Sequence, residues 1–189
     1  MDRLLLDVYG WFAILSAVFT VLTFVSGVLF FTIGEKFGKA NDIFSVFQVL
    51  LMVPVTLIFT EVAPVKYLFV VSFATLIGVV GMLISGYCQF LLVANRINFE
   101  QSRKYFPAGA AIGVWLITVN ALSLVDGLLP PVLASFGILA GVGYLLTVIG
   151  FLRGGQASPL FSVGALMVGI CYPVWGIWLG VLLNSGLVS

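Results

Sequence analysis

Six apolar stretches decide what this chain can fold into: 9–31, 43–60, 67–94, 108–129, 132–152 and 160–183. The chain has 8 Lys or Arg and 7 Asp or Glu, and all of them except Asp126 fall outside those stretches. A charge placed in hydrocarbon costs about 2.5–3.5 kcal/mol even on insertion scales, so such segregation is what a bilayer demands. A helix needs about 20 apolar residues to cross the hydrocarbon core, and stretches of 18–28 residues meet that length. They lack the short alternation of a membrane barrel, and a helix satisfies its own backbone in lipid. The predicted fold is therefore all-α: a polytopic transmembrane helical bundle with six spans at those bounds, forming one domain over 1–189 with no soluble domain.

Composition agrees. The chain is 62% hydrophobic and 8% charged, where soluble domains carry about 25% charged residues. A soluble enzyme, a secreted disulfide scaffold and a nucleic-acid binder are excluded. A net charge of +1 offers no field for an acidic partner. The N-terminal flank, Met-Asp-Arg-Leu-Leu-Leu-Asp, has two acids against one base, and no Ala-x-Ala site follows the run from Tyr9 to Phe31. That run is expected to remain as the first span rather than leave as a signal peptide.

Bases set the orientation. Lys36, Lys39, Arg96, Arg103, Lys104 and Arg153 lie in the first, third and fifth loops, against Arg3 and Lys66 on the other side. The positive-inside rule puts the odd loops in the cytoplasm and both termini outside. Tyr9, Trp11, Tyr67 and Trp178 then fall near outer ends and Tyr105 and Phe106 at an inner end, as interfacial anchors. Pro130-Pro131 forces a tight hairpin between spans four and five. The longest loop, 95–107, reads as a solvated connector, with its bases and aromatics suited to a headgroup zone or a docking surface.

Little here can carry chemistry. Histidine is absent, so the usual ligand for haem and many metal sites is missing. Cys88 and Cys171 cannot make a four-thiolate site alone, and their helical positions differ in depth by roughly 7–8 Å, which disfavours a disulfide. No phosphate-binding glycine loop is present, and Gly141-Val-Gly143 lies inside a span. A serine triad would need His, and no Lys lies inside a span. No cofactor, metal or catalytic residue is expected.

Asp126, Asn120 and Ser123 form the candidate intramembrane polar site. Asp126 is the one ionisable residue within a span, and it reads either as an interfacial acid or as a cation or proton site facing the bundle interior. Ser123 is three residues from each of the others and could bridge them. Asn120 and Gln48 suit interhelical hydrogen bonds.

Small residues four apart mark close helix packing: Gly81 and Ser85, Gly109 and Gly113, Gly137 and Gly141, Ala165 and Gly169, Gly176 and Gly180. Spans three to six are expected to form the tight core. Span two has neither Gly nor Ala and should face lipid or a large-residue partner surface. Pro54 and Pro173 should kink their helices, a feature also found at transporter sites.

Leu22-Thr-Phe-Val-Ser-Gly-Val-Leu29 resembles Leu122-Ser-Leu-Val-Asp-Gly-Leu-Leu129, and Val80-Gly-Met-Leu-Ile-Ser-Gly-Tyr-Cys88 resembles Val163-Gly-Ala-Leu-Met-Val-Gly-Ile-Cys171. The order is that of a three-plus-three inverted repeat over about 1–94 and 108–183. Against it, Cys88 lies much deeper into its span than Cys171 does into its own, and apolar composition makes chance matches common.

Asn120, Gly127-Leu-Leu-Pro130, Leu139-Ala-Gly-Val-Gly-Tyr-Leu-Leu146 and Tyr172-Pro-Val-Trp-Gly-Ile-Trp-Leu-Gly180 resemble a group of uncharacterised bacterial multi-span membrane proteins over roughly 110–183. The resemblance implies a bacterial cytoplasmic (inner) membrane and carries over no activity. The leading expectation is a non-catalytic accessory or interaction subunit of a membrane assembly, in contact with lipid and with other membrane chains or copies of itself. The alternatives are a small transporter or permeation protein and a pigment- or lipid-binding subunit.

Overall fold

A computed structural model describes residues 3–186. Seven helices form among them: α1 (Arg3–Thr32), α2 (Gly38–Val62), α3 (Leu68–Val93), α4 (Phe99–Ser102), α5 (Ala108–Asp126), α6 (Pro131–Gly154) and α7 (Pro159–Ser185). All but α4 are long and apolar enough to cross a membrane. The protein is a polytopic integral membrane protein.

The six long helices stand in a ring. Each packs on its chain neighbour, and α1 closes the ring against α7. Short connections make neighbours antiparallel, so every chain reversal falls at one of two ends. One end carries Arg3 and Lys66 against Asp7, Glu61 and Asp126, and will be called the acidic end. The basic end carries Lys36, Lys39, Arg96, Arg103, Lys104 and Arg153.

Local chemistry explains the helix ends. Gly127 takes a left-handed conformation (φ 68°) that only glycine adopts freely. Its N–H and that of Leu128 both reach the Ser123 carbonyl, ending α5 at Asp126 rather than at residue 129. Pro131 then opens α6, where a missing N–H costs nothing.

The 95–107 connector is more ordered than a solvated loop. Asn98 Oδ1 accepts from the Gln101 N–H at 2.9 Å, and Gln101 Oε1 accepts from the Asn98 N–H at 3.0 Å. This capping box starts α4. The segment then folds over the bundle: Phe106 stacks on Phe151 of α6 at 3.7 Å, Phe99 meets the same ring edge-on at 5.7 Å, and Ser102 is buried.

Glycine faces set the close interfaces. A Cβ on Gly113 would stand 2.7 Å from the Gly141 carbonyl oxygen, and one on Gly141 2.7 Å from that of Gly113. Gly81 lies against the Ala108 carbonyl and Ala111 in the same way, and Gly109 meets only a methyl of Val148. Gly137 packs on the Asn120 side chain and Gly169 on the Phe24 ring. Gly176 and Gly180 meet α1 at Ala13, Ala17 and Gly10, so the close packing extends to the first helix as well as spans three to six. Ser85 and Ala165 are only half-buried.

The second helix packs through large side chains on one side and keeps Leu50 and Leu57 exposed on the other. In its most apolar stretch 44% of residues are buried, against 22% for α1. Without glycine it meets its neighbours through large side chains: Phe47 stacks on Phe19 of α1 at 5.1 Å. Met52, Val55 and Phe59 fill the interior. Pro54 and Pro173 both sit within unbroken helices. The matched stretches 22–29 and 122–129 are built differently, since the first lies within α1 and the second runs through the end of α5.

Candidate functional site

Aromatic rings occupy the centre of the ring of helices. Phe59 of α2 stacks on Trp175 of α7, with centroids 6.1 Å apart and planes 14° apart. Trp115 of α5 meets both edge-on, at 5.9 and 6.1 Å, and Tyr172 lies 5.6 Å from Trp175. Trp115, Tyr172 and Trp175 are fully buried. Three helices that are not chain neighbours thus share one cluster. Edge-to-face pairs of this kind add about 0.5–1.5 kcal/mol beyond the area they bury.

Polar atoms around the cluster are paired across the ring. Trp175 Nε1 donates to Asn120 Oδ1 at 2.8 Å, and Asn120 Nδ2 donates to the Leu116 carbonyl at 2.8 Å. Gln48 Nε2 of α2 donates to the Tyr144 hydroxyl of α6 at 2.9 Å. Ser16 of α1 and Tyr172 of α7 share a hydroxyl bond of 2.8 Å, while Ser16 also donates to the Ala13 carbonyl. The Trp175–Asn120, Gln48–Tyr144 and Ser16–Tyr172 bonds each tie two helices that lipid alone would not hold together. Trp115 Nε1 is the exception: it is buried and has no partner among the described residues, and nothing in the structure explains it.

The three residues of the candidate polar site do not share one pocket. Ser123 Oγ donates back to the Val119 carbonyl at 2.7 Å and bridges nothing. Asn120 is fully buried and belongs to the aromatic cluster. Asp126 turns instead toward the α2–α3 connection, where its Oδ1 accepts from Lys66 Nζ at 2.7 Å. The Asp126 side chain is 13% exposed and that of Lys66 is 61% exposed. Asp126 Oδ2 is buried and has no partner among the described residues. The pair clasps the end of α5 to the turn before α3, and Lys66 also lies 4.7 Å over the Tyr67 ring.

The clustered residues Phe59, Trp115, Tyr144, Tyr172 and Trp175 were not singled out in the sequence. A signal was present. Trp115, Tyr144, Tyr172 and Trp175 sit well inside their spans, away from the ends where aromatic anchors belong, and a mid-span Trp or Tyr must find a partner for its N–H or O–H. Cys88 and Cys171 are both free thiols, Cys88 buried and Cys171 half-buried.

Comparison with protein-family models, with curated proteins and with solved structures finds no match.

Proposed function

We propose that the chain is a non-catalytic integral membrane subunit that holds partner chains or further copies of itself in a bilayer assembly. The filled interior carries this reading. Phe59, Trp115, Tyr172 and Trp175 plug the ring, and the polar atoms beside them bond to one another and not into a water-lined path. A permeation pathway would require these packed rings to part, against an interior packed at near-crystalline density. The outer faces are the contrasting feature: most residues of each helix remain free for lipid and partner helices.

The compartment proposed is a bacterial cytoplasmic membrane. The basic end faces the cytoplasm and both termini face outward; the terminal residues themselves lie outside the described segment. Reporter fusions at Lys39, Arg103 and Arg153 should all report cytoplasm. The subunit role is tested by purification in mild detergent, with quantification of every co-eluting chain, and by reconstitution into liposomes. Stoichiometric partner chains, or a stable oligomer, without ion flux are expected. A lone chain that conducts or exchanges cations would favour the small-transporter reading and overturn this one.

A further inference from the structure

We propose that a cleft between α2 and α3 at the acidic end binds a bilayer lipid with a primary-ammonium headgroup, an ethanolamine phospholipid. The cleft measures about 400 Å³. Leu57, Leu76 and Val79 line its apolar part; Thr60, Glu61, Ser72 and Thr75, with Tyr9 of α1, supply its polar part. Leu57 and Leu76 are also exposed on the lipid-facing surface of the bundle, so the cleft opens where an acyl chain would lie. Glu61 stands one residue before the end of α2, where a headgroup would lie.

The polar part holds one carboxylate, Glu61, beside the hydroxyls of Tyr9, Thr60, Ser72 and Thr75, and no base lines it. Glu61 is exposed and makes no ion pair among the described residues, since Lys66, the nearest base in sequence, is taken by Asp126 at 2.7 Å. Thr60 Oγ1 spends its proton on Thr75 Oγ1 at 3.2 Å, which leaves it lone pairs only. Ser72 is half-buried and has no hydrogen-bond partner among the described residues. Ser26, Thr118, Ser123 and Thr147 each donate to a carbonyl one turn back, which is how a hydroxyl in lipid is normally satisfied. A carboxylate and a free hydroxyl above an apolar slot call for a positive group with several N–H donors on an apolar tail. An ethanolamine headgroup carries three N–H donors. A choline headgroup carries the same charge and none, and anionic lipids would meet the unpaired Glu61 with like charge.

This inference does not depend on the subunit reading. It is tested on the full chain in nanodiscs of equimolar ethanolamine and choline phospholipids with matched acyl chains, by native mass spectrometry of the lipids retained. Wild type should retain the ethanolamine lipid in preference. Glu61→Gln should cut that preference about tenfold, as expected for a charge-assisted hydrogen bond, and Ser72→Ala by about threefold. Glu61 is exposed, so its replacement touches no core contact. Val79→Trp, which fills the apolar part, should lower retention of both lipids at this site. Equal retention of the two lipids by wild type, or an unchanged preference in Glu61→Gln, would overturn the proposal.

Discussion

Replacing Gly141 by alanine tests the packing argument at its tightest point. The added Cβ would stand 2.7 Å from the Gly113 carbonyl oxygen, 2.7 Å from Ile117 Cγ1 and 3.0 Å from the Ile117 nitrogen. Two of those three atoms are helix backbone and cannot rotate aside. Close Cα–H···O contacts settle at 3.3–3.6 Å, so α5 and α6 must part by about 0.6 Å. A gap of that size forfeits about a quarter or more of each dispersion contact along the interface. Overpacking against rigid atoms costs about 3 kcal/mol, at the top of the usual range. Better helix propensity returns about 1 kcal/mol. The net loss is about 2 kcal/mol, roughly thirtyfold in the folding equilibrium. Gly109→Ala on the same interface meets only a Val148 methyl at 3.2 Å, and should fall within about 0.5 kcal/mol of wild type. The pair Gly113→Ala and Gly141→Ala should cost about 1 kcal/mol less than the sum of the singles, because the second methyl enters a gap already opened. Equilibrium unfolding in mixed micelles, followed by the buried tryptophans, measures all four variants. Equal tolerance at Gly109 and Gly141, or strict additivity of the pair, would refute the reasoning.

Trp175→Phe should cost about 1–2 kcal/mol more than Trp115→Phe in the same assay. Both lose ring area, but only the first leaves the buried Asn120 Oδ1 without its donor. Asp126→Asn and Lys66→Gln should each change stability by less than about 1 kcal/mol, since the lysine of the pair is largely exposed. Asp126→Asn should also leave assembly unchanged on native gels; loss of assembly would show that the carboxylate does more than clasp α5. Phe106→Ala should expose the 95–107 segment to limited proteolysis at the basic end, because it removes the ring stacked on Phe151 at 3.7 Å; unchanged cleavage would mean that α4 is held by other contacts.

Apolar length and charge segregation made the six helices legible in sequence, and they leave few other ways to solvate such a chain. Small residues four apart pointed to α5 and α6 for the same reason: only a missing Cβ lets two backbones meet, as Gly113 and Gly141 do. The absence of glycine from 43–60 in α2 pointed to lipid or a large-residue surface, and the helix shows large-residue contacts on one side and exposed leucines on the other. Met52 and Phe59 are buried in the interior, and Phe47 stacks on Phe19 while half exposed. Closure of the ring was not legible. Gly10, Ala13 and Ala17 lie on one stripe of α1, but nothing local says that they meet Gly176 and Gly180 at the far end of the chain. The candidate polar site was drawn from spacing along α5. Rotation about the helix, and the partners that each side chain found elsewhere, separated Asn120 from Asp126.

The central structural claim is that α1 and α7 close the ring around a filled interior, and one cross-link tests it directly. A Cβ at Gly176 would stand 2.9 Å from Ala17 Cβ, so a shift of under about 1 Å between the helices brings the pair to the 3.5–4.5 Å a disulfide spans. With Cys88 and Cys171 replaced by alanine, Ala17→Cys and Gly176→Cys should oxidise in intact membranes to an intramolecular disulfide, read by intact mass before and after reduction. The pair Gly143→Cys and Met167→Cys, with the same 2.9 Å approach between α6 and α7, serves as the control. A disulfide at both pairs is the result the closed ring predicts. A disulfide at the control alone would mean that the first and last helices do not meet, and would contradict the account.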